Sequence, residues 1–411
     1  MNRLKYVIIG NSAAGIGAIE GIRQIDKSGE ITVITNEPYH TYSRPLISYL
    51  LQGKVSEQGM DYRDRDFYAD NKITLVISQA TRVEPESKQV LLADGGSIPY
   101  DKLLIAAGSS AFVPPIEGLE TVDRKHTFVC YDDAKQLDRS LKGDERVLIV
   151  GGGLVGLKCA EGILSRVSAV TVVDLAPMIL SSILNQSGAE MVQTHLQDKG
   201  IEFILSSGIK KFDRSTAILQ EGGEIEFDIL VLAVGMRPNT ALLDGIAKIE
   251  RGIVIDKRSQ TIAPDIYAAG DCTQTTDISC GQDRVMALLP TAYMQGECAG
   301  INMAGGDKIF DRAFPMNAIG FCGLHIITAG SYIGDVYTED AKGSYKRLFY
   351  SNNRLCGYIL IGNIDKAGIY TSLIREQTPL DTIDFGLICE RPGLMAFCSE
   401  DRSNRLGGVS E

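Results

Sequence analysis

Four apolar residues in a row, Tyr6-Val7-Ile8-Ile9, break off at Gly10. A short unalternating run bounded by glycine reads as a strand buried on both faces, the kind found in parallel sheets. Gly10-Asn-Ser12-Ala-Ala14-Gly15 follows, then apolar residues at helical spacing to about Ile25, then a second β-branched run, Ile31–Thr35. Strand, glycine turn, helix and strand together make a β-turn-α-β unit. The pattern recurs: strand Val147–Val150, turn Gly151-Gly-Gly153-Leu154-Val155-Gly156, helix to about Leu164, strand Ala169–Asp174. The two units start about 140 residues apart, a coarse internal duplication.

Leu103–Ala107 and Leu230–Val234 are further short apolar runs, each ending in glycine, at Gly108 and Gly235. Ile253–Asp256 and Asp265–Ala269 read as two more strands. Beyond about Phe310 the character changes. Tyr345–Tyr350 and Leu355–Ile361 flank Ser351-Asn352-Asn353-Arg354, and asparagine tolerates positive φ, so a hairpin is expected there. Ile364–Arg375 looks helical, and the polar tail from Glu400 is expected to be mobile. The predicted fold is α/β, with two Rossmann-like dinucleotide-binding domains and a smaller C-terminal α+β domain over 311–411. The first dinucleotide domain is expected to be discontinuous, over 1–115 and 240–310, with the second inserted over 116–239.

Composition narrows the chemistry. The 411 residues allow two to four domains at roughly 100–200 residues each. A net charge of −11 disfavours nucleic acid as a partner. None of the nine cysteines is spaced as CxxC, CxxxC or CxxxxC, so iron–sulfur, zinc and redox-disulfide motifs are unsupported. The four histidines form no close pair, and no metal is expected. No apolar run reaches 18 residues and no secretion signal is visible, so neither a membrane span nor export is expected. Scattered reduced thiols suit a cytoplasmic protein.

Gly151-x-Gly153-x-x-Gly156, between a strand and a helix, has the context that a dinucleotide needs. The first glycine makes the tight turn, the second admits the pyrophosphate, the third allows close helix–strand packing, and the helix N-terminus offers N–H donors. Asp174 follows 23 residues after Gly151, at the end of the next strand. A carboxylate there accepts from both ribose hydroxyls and repels a 2′-phosphate. No arginine follows within ten residues, which favours NADH over NADPH. In the first loop Gly10 and Gly15 stand in place, but Ser12 replaces the middle glycine; Glu37 ends the following strand and can hold a ribose.

With both loops in view, the chain resembles the flavoproteins with two dinucleotide folds. These are glutathione-reductase-like enzymes, and within them the branch of NADH:rubredoxin reductases and nitrite-reductase flavin domains. The resemblance implies that the first loop binds FAD and the second NADH. It rests also on Leu104-Ile-Ala-Ala107-Gly108-Ser109, similar to the family's ATG segment beside the flavin, on Val234-Gly235-Met-Arg-Pro-Asn-Thr240, similar to its GxRPN return crossing, and on Ile266-Tyr-Ala-Ala-Gly270-Asp271-Cys272, similar to its second FAD motif. The resemblance implies that Asp271 accepts from a ribityl hydroxyl, and that the helix from about Pro290 points its positive end at the flavin O2 region. Tyr42-Ser-Arg44-Pro45 resembles the pyrophosphate-side segment, where an arginine can pair with the diphosphate.

Two departures matter. The region Tyr39–Leu51 has no cysteine, so thiol chemistry beside the flavin has no nucleophile. After the second loop the family has GxE, whereas this chain has Gly156-Leu157-Lys158, and Lys158 is the one catalytic candidate, steadying negative charge on reduced flavin or reaching the nicotinamide amide. The alternative is a lysine reaching out to solvent. The resemblance implies hydride transfer from NADH to FAD, then electrons to a ferredoxin, rubredoxin or iron–sulfur subunit, from a monomer or homodimer. A peroxide-forming NADH oxidase and a flavin-bound regulatory protein are the competing readings. Lys342, Lys346 and Arg347 are a candidate basic patch for an acidic carrier.

Overall fold

The computed structural model describes residues 3–406. They fall into two compact units, one of 275 N-terminal residues with Arg284–Phe310, the other of Thr276–Asp283 with the chain from Asp311. The Thr276–Asp283 excursion takes a piece out of the stretch 240–310 that the sequence pattern assigns to the first domain.

The first unit holds two parallel sheets of five strands. In chain order, the first has strand Lys5–Ile9, helix α1 (Ala13–Ile25), strand Glu30–Thr35, the short helix α2 (Ile47–Leu51), and strands Ile73–Ile77 and Lys102–Ile105. Lys5–Ile9 lies in the middle, paired in parallel with Glu30–Thr35 on one side and Lys102–Ile105 on the other. The second sheet has strand Lys125–Thr127, helix α3 (Tyr131–Ser140), strand Arg146–Val150, helix α4 (Leu154–Ile163), and strands Ala169–Val173, Ile201–Ile204 and Ile229–Leu232. Arg146–Val150 takes the same central place. The residues explain this: Val7, Ile8, Leu148 and Ile149 are at most 1% exposed, as strands covered on both faces require. Each sheet carries a three-stranded antiparallel insert that the apolar runs did not reveal, at Ala80–Glu84, Gln89–Leu92 and Ser97–Pro99, and at Ile209–Asp213, Thr216–Leu219 and Glu224–Glu226.

The chain passes between the two sheets twice. Ser109–Ala111 on the way out and Met236–Pro238 on the way back pair antiparallel. Asn239 ties the crossing down: its Nδ2 donates to Ala107 O at 2.8 Å and its backbone N–H to Gly108 O at 2.9 Å. After the return, Ile266–Ala268 adds the fifth strand of the first sheet, beside Lys102–Ile105. Helix α5 (Leu289–Met303) then packs on α1.

That contact is made backbone to backbone. A methyl group on Gly296 would collide with Ala14 O, and one on Gly300 with Ala18 O. From the other side, one on Gly17 would meet Tyr293 O and one on Gly21 Glu297 O. Four glycines in two facing rows let the helices approach more closely than any side chain permits. Arg63, bound to Glu20 at 2.7 and 3.2 Å, and Tyr293 O–H, donating to Glu20 at 2.5 Å, clasp the pair.

The second unit is an antiparallel five-stranded sheet with Ala367–Glu376 as helix α6 on one face, where Tyr370, Leu373 and Ile374 meet Leu348, Tyr358 and Leu360. The expected hairpin joins Ser344–Ser351 to Arg354–Ile361, with Asn352 and Asn353 at φ 50° and 61°. The proposed basic patch does not stand free. Lys346 Nζ is spent on Glu339 at 2.5 Å within the sheet, with its side chain 14% exposed, and the Arg347 guanidinium lies 5.4 Å from the Phe349 ring centre. Lys342 alone of the three is exposed. The polar tail differs from expectation as well: Ser399–Leu406 is helical, and 407–411 lie outside the described residues.

Two outcomes follow from this packing. Gly296→Val should lower stability by about 3 kcal/mol or more, because the obstacle is a helix backbone and not a movable side chain. Gly153→Ala, with nothing within 4 Å, should leave the urea midpoint unchanged. Glu145 supplies a pH test. It is 3% exposed; burial pushes its carboxyl up, but Arg124 at 2.8 Å and the N–H groups of Lys142 and Gly143 outweigh that and hold it down at about 2. A depressed carboxylate stabilises the fold above its unfolded pKa, and the contribution disappears as pH falls from about 4.3 toward 2. Glu145→Gln should therefore lower the urea midpoint at pH 7 and converge with the parent as pH approaches 2.

Candidate FAD and NADH sites

The two glycine loops are built alike. Gly10 and Gly151 have φ +123° and +116°, and a methyl on either would strike the carbonyl oxygen of a neighbouring strand end, Ala106 O or Ala233 O. A methyl on Gly15 would strike Gly10 O, and one on Gly156 Gly151 O. The first and third positions thus need glycine in both loops. The middle position does not. Ser12 and Gly153 are both extended, at φ −118° and −82°, so serine enters the first loop without strain. Gly153 has no atom within 4 Å of a built Cβ, which leaves open space over the N-terminus of α4, where Leu154 and Val155 begin the helix. Buried Ala14 follows Ser12 on the first turn of α1 and lies against Gly270 and Gly296.

Around the first loop the fold gathers Glu37, Arg44 and Asp271. Arg44 pairs with Glu37 Oε1, and Tyr42 O–H donates to Glu37 Oε2 at 2.6 Å. Pro45 starts the short turn that leads into α2 and holds the Arg44 backbone. Asp271 follows Gly270, φ +82°, and accepts the Ser109 hydroxyl at 3.4 Å. Burial pushes the Asp271 carboxyl up, opposed by that hydroxyl and by the charge of Arg44. Arg44 is therefore within electrostatic reach of both acids. Ala107 and Gly108, φ +64°, join Ser109 to the strand end, and Gly108 faces open space. Pro290 is in the first turn of α5, and Gln295 one turn on accepts the Gly270 N–H at 2.9 Å.

These residues fit FAD. Glu37 and Asp271 are carboxylates that can accept from sugar hydroxyls, the Arg44 guanidinium paired with Glu37 can meet a diphosphate, and the N-terminus of α5, with proline in its first turn, offers N–H donors. At the second loop both oxygens of Asp174 already accept backbone N–H groups, Gly152 at 2.6 Å and Ala176 at 2.8 Å. Carboxylate oxygens hold further lone pairs, so a ribose can still be bound. Gly235, φ +125°, stands open at the return crossing.

Lys158 does not take the solvent-reaching course. It is 18% exposed, so it does not reach out to solvent; it pairs with Glu161 and holds its ammonium 4.6 Å from the centre of the Tyr49 ring on α2. Sequence reasoning missed Tyr49, Gln295, Tyr42 and Tyr131. Gln295 had a faint signal, a polar residue on the inner face of an apolar helix; Tyr131 had none.

The pyridine nucleotide-disulphide oxidoreductase family model matches residues 4–296, and the chain belongs to that family. The rubredoxin NAD+ reductase C-terminal domain model matches 315–378. The chain is a FAD-dependent oxidoreductase that uses NADH. It is 32% identical over 391 residues to the epsilon subunit of an NADH-dependent phenylglyoxylate dehydrogenase from Aromatoleum evansii, covering 92% of each chain. It is 29% identical to the nitrite reductase [NAD(P)H] of Bacillus subtilis over 92% of its own length, but spans only 48% of that protein. A putidaredoxin reductase solved in covalent complex with putidaredoxin has the same fold, with a TM-score of 0.87 at 21% identity over 95% of this chain and 97% of that one. Among the described residues no helix is long and apolar enough to cross a membrane.

Asp174→Ala should cut kcat/KM for NADH by about 10–100-fold, the worth of charged hydrogen bonds to a ribose, and leave that for NADPH unchanged or higher. Steady-state assays with both nucleotides measure the ratio.

Proposed function

We propose that this chain takes hydride from NADH and hands the electrons to a separate iron–sulfur or rubredoxin-type carrier in the cytoplasm. The observation that carries the reading is the state of the thiols near the site. Cys130, at the start of α3 near Arg44, and Cys272, beside Asp271, neighbour the proposed flavin residues. Burial pushes Cys130 up to about 11 and Cys272 up to about 12, so both stay protonated and poorly nucleophilic at neutral pH. Protonated thiols disfavour a thiol-relayed reduction of a disulfide or peroxide and so support an acceptor that takes electrons from the flavin itself. The name of a relative 26% identical over 389 residues, an NADH-rubredoxin oxidoreductase, supports a protein acceptor, as does the match to a rubredoxin reductase C-terminal domain.

FAD, when bound, supplies the exchange between a two-electron donor and a one-electron acceptor. The chain supplies position and charge. The N–H groups of the first loop and Arg44 would hold the diphosphate, Glu37 and Asp271 would accept from the ribose and ribityl hydroxyls, and the N-terminus of α5 would offer N–H donors to the flavin. The 116–239 domain holds NADH by the Gly151–Gly156 loop and Asp174 and presents the nicotinamide. Lys158, held at the α2–α4 contact by Glu161 and Tyr49, adds positive charge there.

The test is anaerobic. NADH should bleach the band near about 450 nm rapidly, and rubredoxin or ferredoxin should restore it faster than O2 or disulfides do. Absence of bleaching would leave a regulatory flavoprotein, and fastest reoxidation by O2 an oxidase. Lys158→Met should slow NADH-dependent reduction in stopped flow by about 10-fold or more; an unchanged rate constant removes the residue from the site.

A further inference from the structure

Glu37 is reached from both domains of the first unit. Tyr42, 8% exposed, donates to Glu37 Oε2 at 2.6 Å, and its oxygen accepts the backbone N–H of Tyr131 at 3.0 Å. Tyr131 is the first residue of α3, so this N–H is one of those that a helix leaves without an internal partner. Asp133 takes the two before it, Val129 N–H at 2.8 Å and Cys130 N–H at 3.3 Å. The Tyr131 N–H is answered across the domain boundary. Arg44 closes the circuit, pairing with Glu37 while its Nη1 donates to Val129 O at 3.4 Å. Around it the Tyr131 ring packs on Tyr39 at 4.7 Å and Tyr42 at 5.6 Å, and Tyr39 O–H donates to Asp132. Lys135 Nζ covers both outer rings, 5.2 Å from the centre of Tyr39 and 4.8 Å from that of Tyr131.

We infer that Tyr42 is a positioning residue that couples the seating of the FAD adenosine end to the setting of the nicotinamide domain, through the relay from Tyr131 N–H to the Tyr42 hydroxyl to the Glu37 carboxylate. The inference rests on the FAD reading of Glu37. Its logic is mechanical. The 116–239 stretch is joined covalently through two crossing strands that lie side by side, Ser109–Ala111 and Met236–Pro238, and its setting depends on those and on the contacts it makes with the segment 37–54. Nicotinamide and flavin must approach to about 3–3.5 Å, so a rotation of a few degrees in that setting decides whether hydride transfer can occur. The cluster at the start of α3 is one of those contacts, and its chemistry runs through the carboxylate that the ribose needs. Burial pushes the Tyr42 phenol far above its ordinary range, so the hydroxyl keeps its proton and the direction of the relay is fixed.

The experiment compares hydrogen exchange of the peptide containing residues 129–133, with and without FAD, in the parent chain, Tyr42→Phe and Tyr39→Phe. Tyr42→Phe removes the relay and keeps the ring. Tyr39→Phe removes only the bond to Asp132 and leaves Glu37 untouched. In the parent, FAD should slow exchange at the start of α3. In Tyr42→Phe that protection should be lost and the FAD dissociation constant, read by flavin fluorescence, should rise by about 10-fold or more. In Tyr39→Phe the dissociation constant should stay within about twofold, while the limiting rate of flavin reduction by NADH falls. Protection by FAD that survives in Tyr42→Phe, or an FAD dissociation constant unchanged by it, overturns the coupling. If Tyr42→Phe does not fold, Glu37→Gln, which keeps the side chain and weakens the acceptor of the relay, takes its place, and protection of 129–133 by FAD that survives in it overturns the coupling. The exchange arms use FAD alone, so they report whether or not the electron-transfer reading holds.

Discussion

In the first unit two helices meet backbone to backbone, and the relative placement of the first glycine loop and of Pro290 depends on that contact. Helix α1 carries the first glycine loop at its N-terminus; α5 carries Pro290 at its own. Gly17 and Gly21 on one helix and Gly296 and Gly300 on the other let the two backbones touch at four points. The distance between the helix N-termini is then set by backbone against backbone, which has no rotamers and little give. Gln295 extends the same rigidity to the second motif by binding Gly270 N–H and Thr273 O–H, so the position of Asp271 follows from that of α5. A site built for a long dinucleotide needs its ends at a fixed separation, and this seam provides it.

The nicotinamide domain is attached by different means. Its link is a short two-stranded ribbon with Asn239 as a rivet, supplemented by contacts on the segment 37–54. That segment meets α3 through Tyr42 and Tyr39, meets α4 through Lys158 and through Gly162, whose missing side chain admits Ser48 O, and meets the turn after α4 through Arg166, bound to Leu51 O at 3.0 Å. A stretch that in disulfide-reducing relatives would be expected to carry a thiol here binds one domain to the other.

Much of this was legible beforehand. Gly10 and Gly15, Gly151 and Gly156 could be picked out because their backbone demands leave no alternative residue, and Glu37 and Asp174 because they close a strand at a set distance from a glycine loop. Ser12 looked like a defect; the extended backbone at that position shows why it is not one. The small antiparallel inserts were not visible, because their strands are only three to five residues long and half exposed, too short to show a period. The basic patch failed for a related reason. Lys346 and Glu339 are seven residues apart in sequence and directly opposite in the sheet, so a charge that looked free is neutralised by its cross-strand neighbour.

The sequence by itself determined the local rules: where a strand must end, which turns require glycine, which carboxylates close a nucleotide fold, and that no cysteine lies between Tyr39 and Leu51. These are statements about neighbours along the chain, and backbone sterics and periodicity are enough to make them. The tertiary structure decided the partners. It placed Arg44 within reach of both Glu37 and Asp271, 227 residues from the second of these; it turned Lys158 toward Tyr49 and Glu161; and it brought Tyr131 N–H to Tyr42 across a domain boundary. Such pairings depend on how two sheets and their helices are set against each other, and no spacing along the chain encodes that geometry.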